Sequence, residues 1–113
     1  MRESAVRSAV LAVLKEAGAV VWAQVGAVNS VGRPDLAVCY RGRFLAIELK
    51  TPRGRTHPRQ WAQLEAVAKA GGVAAVIRSA DDMRALLAEV DAMIAGVYVP
   101  TPTPNGGTHG NRV

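Results

Sequence analysis

Two strand-length segments, Leu36 to Tyr40 and Arg43 to Lys50, flank an Arg41-Gly42 break, and this pair limits the fold more than any other feature of the chain. A short break containing glycine between two such segments is a hairpin signal. Side chains alternate across a strand, so Ala37, Cys39, Phe44 and Ala46 fall on one face and Leu36, Val38, Leu45 and Ile47 on the other. Both faces are apolar. A hairpin of this kind is expected to be buried on both sides, with Cys39 as a small core residue, which calls for a layered α/β fold.

The rest of the chain supplies the layers. Val6, Ala9, Val10, Val13, Leu14 and Ala17 repeat at helical spacing, and Gly18 follows as a stop, so a helix is expected over Glu3 to Ala17. Val20 to Gln24 reads as a strand, followed by a loop with Asn29, Ser30, Gly32 and Pro34. After the hairpin, Thr51 to His57 is a polar loop, and Pro58 opens a helix that runs to about Ala70 and stops at Gly71-Gly72. Val73 to Ile77 is a short apolar strand. Ser79 and Asp82 have capping-box spacing, and Met83, Leu86, Leu87, Val90 and Ile94 mark the apolar stripe of a last helix. The order is αβββαβα: a mixed central sheet flanked by helices.

The length of 113 residues suits one domain, expected over 1–99, with a disordered low-complexity tail over 100–113. Five aromatic residues leave the core to Ala, Val, Leu and Ile. The single cysteine excludes a disulfide scaffold. The uncharged stretch Ala17 to Gly32 is too short and too polar to span a bilayer, and no targeting segment is evident. A soluble, cytoplasmic protein is expected.

The net charge of +5 is unevenly placed. Between Arg33 and Arg59 there are seven basic residues and two acids, while the remainder of the chain balances seven with seven. The positive excess is therefore expected around whatever site this segment builds, and it suits a polyanion.

Hairpin register places two of the acids together. Pairing symmetric about Arg41-Gly42 joins residues whose numbers sum to 83, so Asp35 faces Glu48. A two-residue and a four-residue loop give the same pairing; arginine is unfavourable at positive φ, so the four-residue loop is expected. Carboxylates about 5 Å apart across a strand pair repel by roughly 3 kcal/mol at an effective dielectric of about 20. A divalent cation would turn that repulsion into a site. Oxygen donors without a His/Cys cluster favour Mg²⁺ or Mn²⁺. Lys50 follows Glu48 by two residues and shares its strand face, where an ammonium can position water and stabilise a phosphate in the transition state.

At this point the residues resemble a family. Gly32-Arg33-Pro34-Asp35-Leu36, then Glu48-Leu49-Lys50, then Pro58 and Gln60, are similar to the VRR-NUC group of the PD-(D/E)XK nucleases, whose core is restriction-endonuclease-like. The match is closest to the small stand-alone members typical of phages and prophages. The resemblance implies a divalent metal held by Asp35, Glu48 and the backbone carbonyl of Leu49, with Lys50 as the catalytic lysine and Gln60 as a further active-site residue. It implies that Glu3, on the first helix, can reach the metal. It implies metal-dependent hydrolysis of DNA phosphodiester bonds, a homodimer, and branched substrates of the Holliday-junction type. Neither an organic cofactor nor a membrane is expected. The family often has serine where this chain has His57, a change expected to weaken the cap of the following helix.

Several residues carry two readings. Gln60, third in its helix, can serve the site or close a capping interaction. Glu3 can serve the metal or the helix N-terminus. Arg33, Arg53, Arg55 and Arg59 can contact phosphate or be solvated. Trp22 and Trp61 can be core, interface or base-stacking aromatics. His57 can be a general base or a helix-entry residue, and His109 falls in the tail. The function classes set against one another are a metal-dependent endonuclease, a non-catalytic nucleic-acid-binding domain of the same fold, and a structural protein with a solvated basic segment.

Overall fold

Val6, Val10, Val13 and Leu14 repeat at intervals of three and four and are all buried, forming the inner stripe of helix α1 (Glu3–Glu16) in the computed structural model. Residues 2–23, 33–97 and 112–113 are described by the structure. Ala17, expected as the last helical residue, is the C-cap, and Gly18 takes φ 77°, a left-handed value that glycine adopts without strain. Strand β1 (Val20–Ala23) follows; Gln24 lies outside the described residues. Strands β2 (Leu36–Tyr40) and β3 (Arg43–Leu49) form the hairpin, then come α2 (Pro58–Lys69), β4 (Val73–Ile77) and α3 (Ala80–Ile94).

The sheet order is β1-β2-β3-β4, antiparallel through β3 and parallel between β3 and β4. The expected αβββαβα order and mixed sheet are present. So is the register, since Leu36 pairs with Ile47, Val38 with Leu45 and Tyr40 with Arg43. The loop differs from expectation. Only Arg41 and Gly42 separate the paired ends, at φ 50° and 80°, so it is the two-residue turn with both central residues left-handed. Asp91 of α3 holds the arginine there: its Oδ1 accepts from Arg41 Nη1 and from the Tyr40 hydroxyl, each at 2.8 Å.

Helices α1 and α3 cover one face of the sheet, where Val6, Val10, Leu14, Val38, Leu45, Ile47, Met83 and Val90 make the main core. Helix α2 covers the other face over β3 and β4, with Leu64 on Ala46, Ala74 and Val76. It does not extend over β1 and β2. Burial on both sides therefore holds for β3 from Leu45 to Leu49 but not for the outer half of the second face, where Cys39 is exposed and Phe44 is 47% exposed. Cys39 is a surface residue rather than a core one for this reason.

The end of the expected tail is ordered against the sheet. Arg112 bridges Ala75 in antiparallel sense, Val113 N donates to Ala74 O at 2.8 Å, and the Val113 side chain packs on the α2 cluster. Residues 98–111, with His109, lie outside the described residues. Among the described residues no helix is long and apolar enough to cross a membrane.

Candidate active site

The site lies at the end of the sheet where β3 and β4, being parallel, both finish. Asp35 stands one residue before β2, and Glu48 is in the last turn of the pleat of β3. Regular pairing stops at Leu36–Ile47, yet the next opposed positions are Asp35 and Glu48, as the register requires. Asp35 Oδ2 accepts from Leu49 N at 2.8 Å, so the carboxylate takes the place a strand carbonyl would have held. In a strand the N–H and C=O of one residue leave on the same side. The Leu49 carbonyl therefore emerges on the edge that Asp35 occupies.

Glu48 is 2% exposed. Its Oε2 accepts from Gln60 Nε2 at 2.6 Å and lies 3.6 Å from Lys50 Nζ. Its Oε1 is buried with no hydrogen-bond partner. Burial first, and then the charge and hydrogen bonding of Asp35, push the Glu48 carboxyl up to about 8, against a smaller opposing pull from Lys50. An orphaned, buried carboxylate oxygen beside a second carboxylate is the environment a hard cation relieves. Among the described residues there is no group of three or more His, Cys, Asp or Glu, so the side chains bring two carboxylates and no soft ligand. That donor set fits Mg²⁺ or Mn²⁺, with Asp35, Glu48 and the Leu49 carbonyl as the groups that would hold it.

Gln60 serves both of its readings at once. Its Oε1 accepts from His57 N at 2.9 Å, the reciprocal half of a helix cap, while its Nε2 holds Glu48. His57 is no weaker a cap than serine would be in kind, because its Nδ1 accepts from Arg59 N at 3.1 Å. The cap thus fixes the start of α2, and the start of α2 fixes the Glu48 rotamer.

Glu3 is exposed and is not grouped with Asp35 and Glu48. The first turn of α1, which carries Glu3, lies ahead of the buried stripe that begins at Val6. Helix α1 meets the site through Arg7 instead, whose Nη2 is 4.0 Å from Asp35 Oδ1. Arg33, Arg53, Arg55 and Arg59 are all exposed, on the segment entering β2, on the loop after Lys50 and at the start of α2. Trp61 is partly buried against the α2 cluster.

Arg78 is a residue that sequence reasoning missed. Its Nη1 donates to Thr51 O at 2.7 Å and to Gly54 O at 2.6 Å, and its backbone N donates to Asp82 Oδ2 at 2.9 Å. It thereby pins the loop that carries Arg53 and Arg55. A signal was present: β4 runs parallel to β3 with Leu49 opposite Ile77, so the residue after β4 must lie beside the residue after β3. The basic excess is also more divided than its sequence position implies. Arg41 and Arg43 sit at the hairpin tip, about 17 Å along β3 from Glu48 by strand rise, while Arg7 and Arg78 join the site from outside the segment.

Comparison with known proteins identifies the fold and the family. A solved structure described as a VRR_NUC domain matches with a TM-score of 0.66 at 24% identity, over 76% of this chain and 94% of that one, which establishes the fold. No curated protein sequence matches. The model of the VRR-NUC domain matches residues 2–81, the stretch that holds Asp35, Glu48, Lys50, Gln60 and Arg78. The chain belongs to the VRR-NUC domain family and has its nuclease-type fold.

Proposed function

We propose that this protein is a divalent-metal-dependent deoxyribonuclease that hydrolyses phosphodiester bonds, with Asp35, Glu48, Lys50 and Gln60 as its active-site side chains. The observation that carries the reading is Glu48: buried, facing Asp35, and with Oε1 left without a partner. A non-catalytic binding domain has no use for two carboxylates held together in a basic surrounding.

Asp35 is oriented by the Leu49 N–H on Oδ2, and its Oδ1 lies 4.0 Å from Arg7 Nη2. Gln60 fixes Glu48 by one oxygen and leaves the other free. When bound, the cation polarises the phosphate and makes water a better nucleophile at neutral pH. Lys50, 3.6 Å from Glu48, holds its ammonium where charge develops on the phosphate oxygens. Water adds to phosphorus, the bond to one ester oxygen breaks, and that oxygen leaves with a proton. Arg53, Arg55, Arg59 and Arg33 seat the flanking phosphates, positioning the backbone without reading sequence. Glu3, which the family resemblance implies as a further metal ligand, is exposed in the first turn of α1.

The finer reading is a structure-selective endonuclease of the Holliday-junction-resolvase kind, of phage or prophage type, that acts as a homodimer on branched DNA. The test is cleavage of linear duplex, single-stranded, flap and four-way-junction DNA with Mg²⁺ or Mn²⁺. Cutting abolished by EDTA and by Lys50→Ala is the expected result. Cleavage that persists in EDTA contradicts the metal dependence, and equal cutting of all four DNAs contradicts structure selectivity.

A further inference from the structure

Among the described residues, no helix lies over the outer half of the second sheet face. Pairing of Trp22 with Ala37, and of Ala37 with Ala46, puts Trp22 on the same face as Ala46 and α2. Asp35 and Glu48 belong to the next row of that face. Trp22 is 56% exposed, and beyond it Val20 is 53% and Phe44 47% exposed. One strand spacing and two residues of rise separate Trp22 from Asp35, about 8 Å between their Cα atoms. An indole at that distance, on the same face, is within a nucleotide's span of the carboxylates. The floor between them is Ala37, too small to block the way.

We propose that Trp22 is a stacking platform for an unpaired nucleobase next to the cleaved phosphate, so that the site favours DNA with single-stranded character. The inference rests on the nuclease reading and names its substrate class. Two observations favour a nucleobase over a second copy of the chain as the occupant. The face is continuous with the carboxylate site, so a protein seated over Trp22 would wall off the approach to Asp35. Exposed basic side chains also flank the carboxylates: Arg33 on the segment entering β2, Arg53 and Arg55 on the loop after Lys50, and Arg59 at the start of α2. A symmetric self-interface there would bring like charges together, whereas a polyanion satisfies them. Aromatic faces stack on any base, which suits a site that reads shape rather than sequence.

The test compares wild type with Trp22→Ala, Trp22→Leu and Trp22→Phe, each checked for native circular dichroism. Binding is measured without divalent metal to oligothymidine of about 16 nucleotides and to duplex DNA of the same length. Trp22→Ala and Trp22→Leu should weaken single-strand binding roughly 5- to 100-fold and leave duplex binding unchanged, while Trp22→Phe retains most of the affinity. Unchanged single-strand affinity in Trp22→Ala, or a leucine variant as good as phenylalanine, overturns the proposal. So does an equal loss on both DNAs, and so does a variant that binds DNA normally but sediments as a smaller species than wild type. Wild-type protein that binds neither DNA speaks against the nuclease reading itself.

Discussion

Glu48 sits near the end of β3 with one carboxylate oxygen bonded to Gln60 and the other buried without a partner. Its raised carboxyl has a consequence for the metal-free protein. Between the ordinary value of 4.5 and about 8, the folded chain holds a proton that the unfolded chain has lost. The unfolded state then binds fewer protons, so stability falls as pH rises through that window, by at most about 5 kcal/mol, and the full cost is present above it. The denaturant midpoint of the EDTA-treated protein should therefore drop from about pH 5 to about pH 8, and Glu48→Gln should remove most of that slope while sharply weakening Mn²⁺ binding in calorimetry. A variant with the wild-type slope, or with undiminished Mn²⁺ affinity, refutes the assignment. Gln60→Ala removes a cap bond and a bond to a buried carboxylate together, and should cost about 1–3 kcal/mol in chemical denaturation. At this scale the central trio was legible because strand alternation and register need only residue numbers. Arg7 was not, since its 4.0 Å approach to Asp35 depends on how α1 packs across the sheet, which no local pattern encodes.

Among the elements, strands and helices were legible where period and punctuation agreed. Gly18, Pro58, Gly71 and Ser79 each stand at a boundary they explain. Two expectations failed for tertiary reasons. The hairpin turn takes two residues despite the strain at Arg41, because Asp91 on α3 binds that side chain. Cys39 is exposed because α2, which is twelve residues long, covers β3 and β4 but not β2. Arg78 acts at this scale as well. It ties the end of β4 to the loop after Lys50 through two carbonyls, contacts worth about 1.5–3 kcal/mol to a charged donor. Arg78→Ala should loosen that loop, visible as faster tryptic cutting at Arg53 and Arg55, with reduced DNA cleavage. Unchanged tryptic rates would show that the loop holds its form without the clamp.

At the scale of the molecule, among the described residues, α1 and α3 cover one sheet face, α2 covers the other over β3 and β4, and the rest of that second face adjoins the carboxylates. Charge is organised to match. The site gathers Arg33, Arg53, Arg55 and Arg59, while Arg41 and Arg43 stand apart at the hairpin tip. Charge counting along the sequence could not separate these groups, because a hairpin sends neighbouring residues to opposite ends of the sheet. Double substitution Arg53→Ala with Arg55→Ala should lower the slope of log affinity against log salt by about 2 on duplex DNA, and Arg41→Ala should leave it unchanged. Equal effects would mean that the basic surface is undifferentiated. The most direct test of the account is Mn²⁺-dependent DNA cleavage by purified Asp35→Ala protein, with its fold verified by circular dichroism against wild type. The account predicts no cleavage above the EDTA background; cutting at the wild-type rate would contradict it.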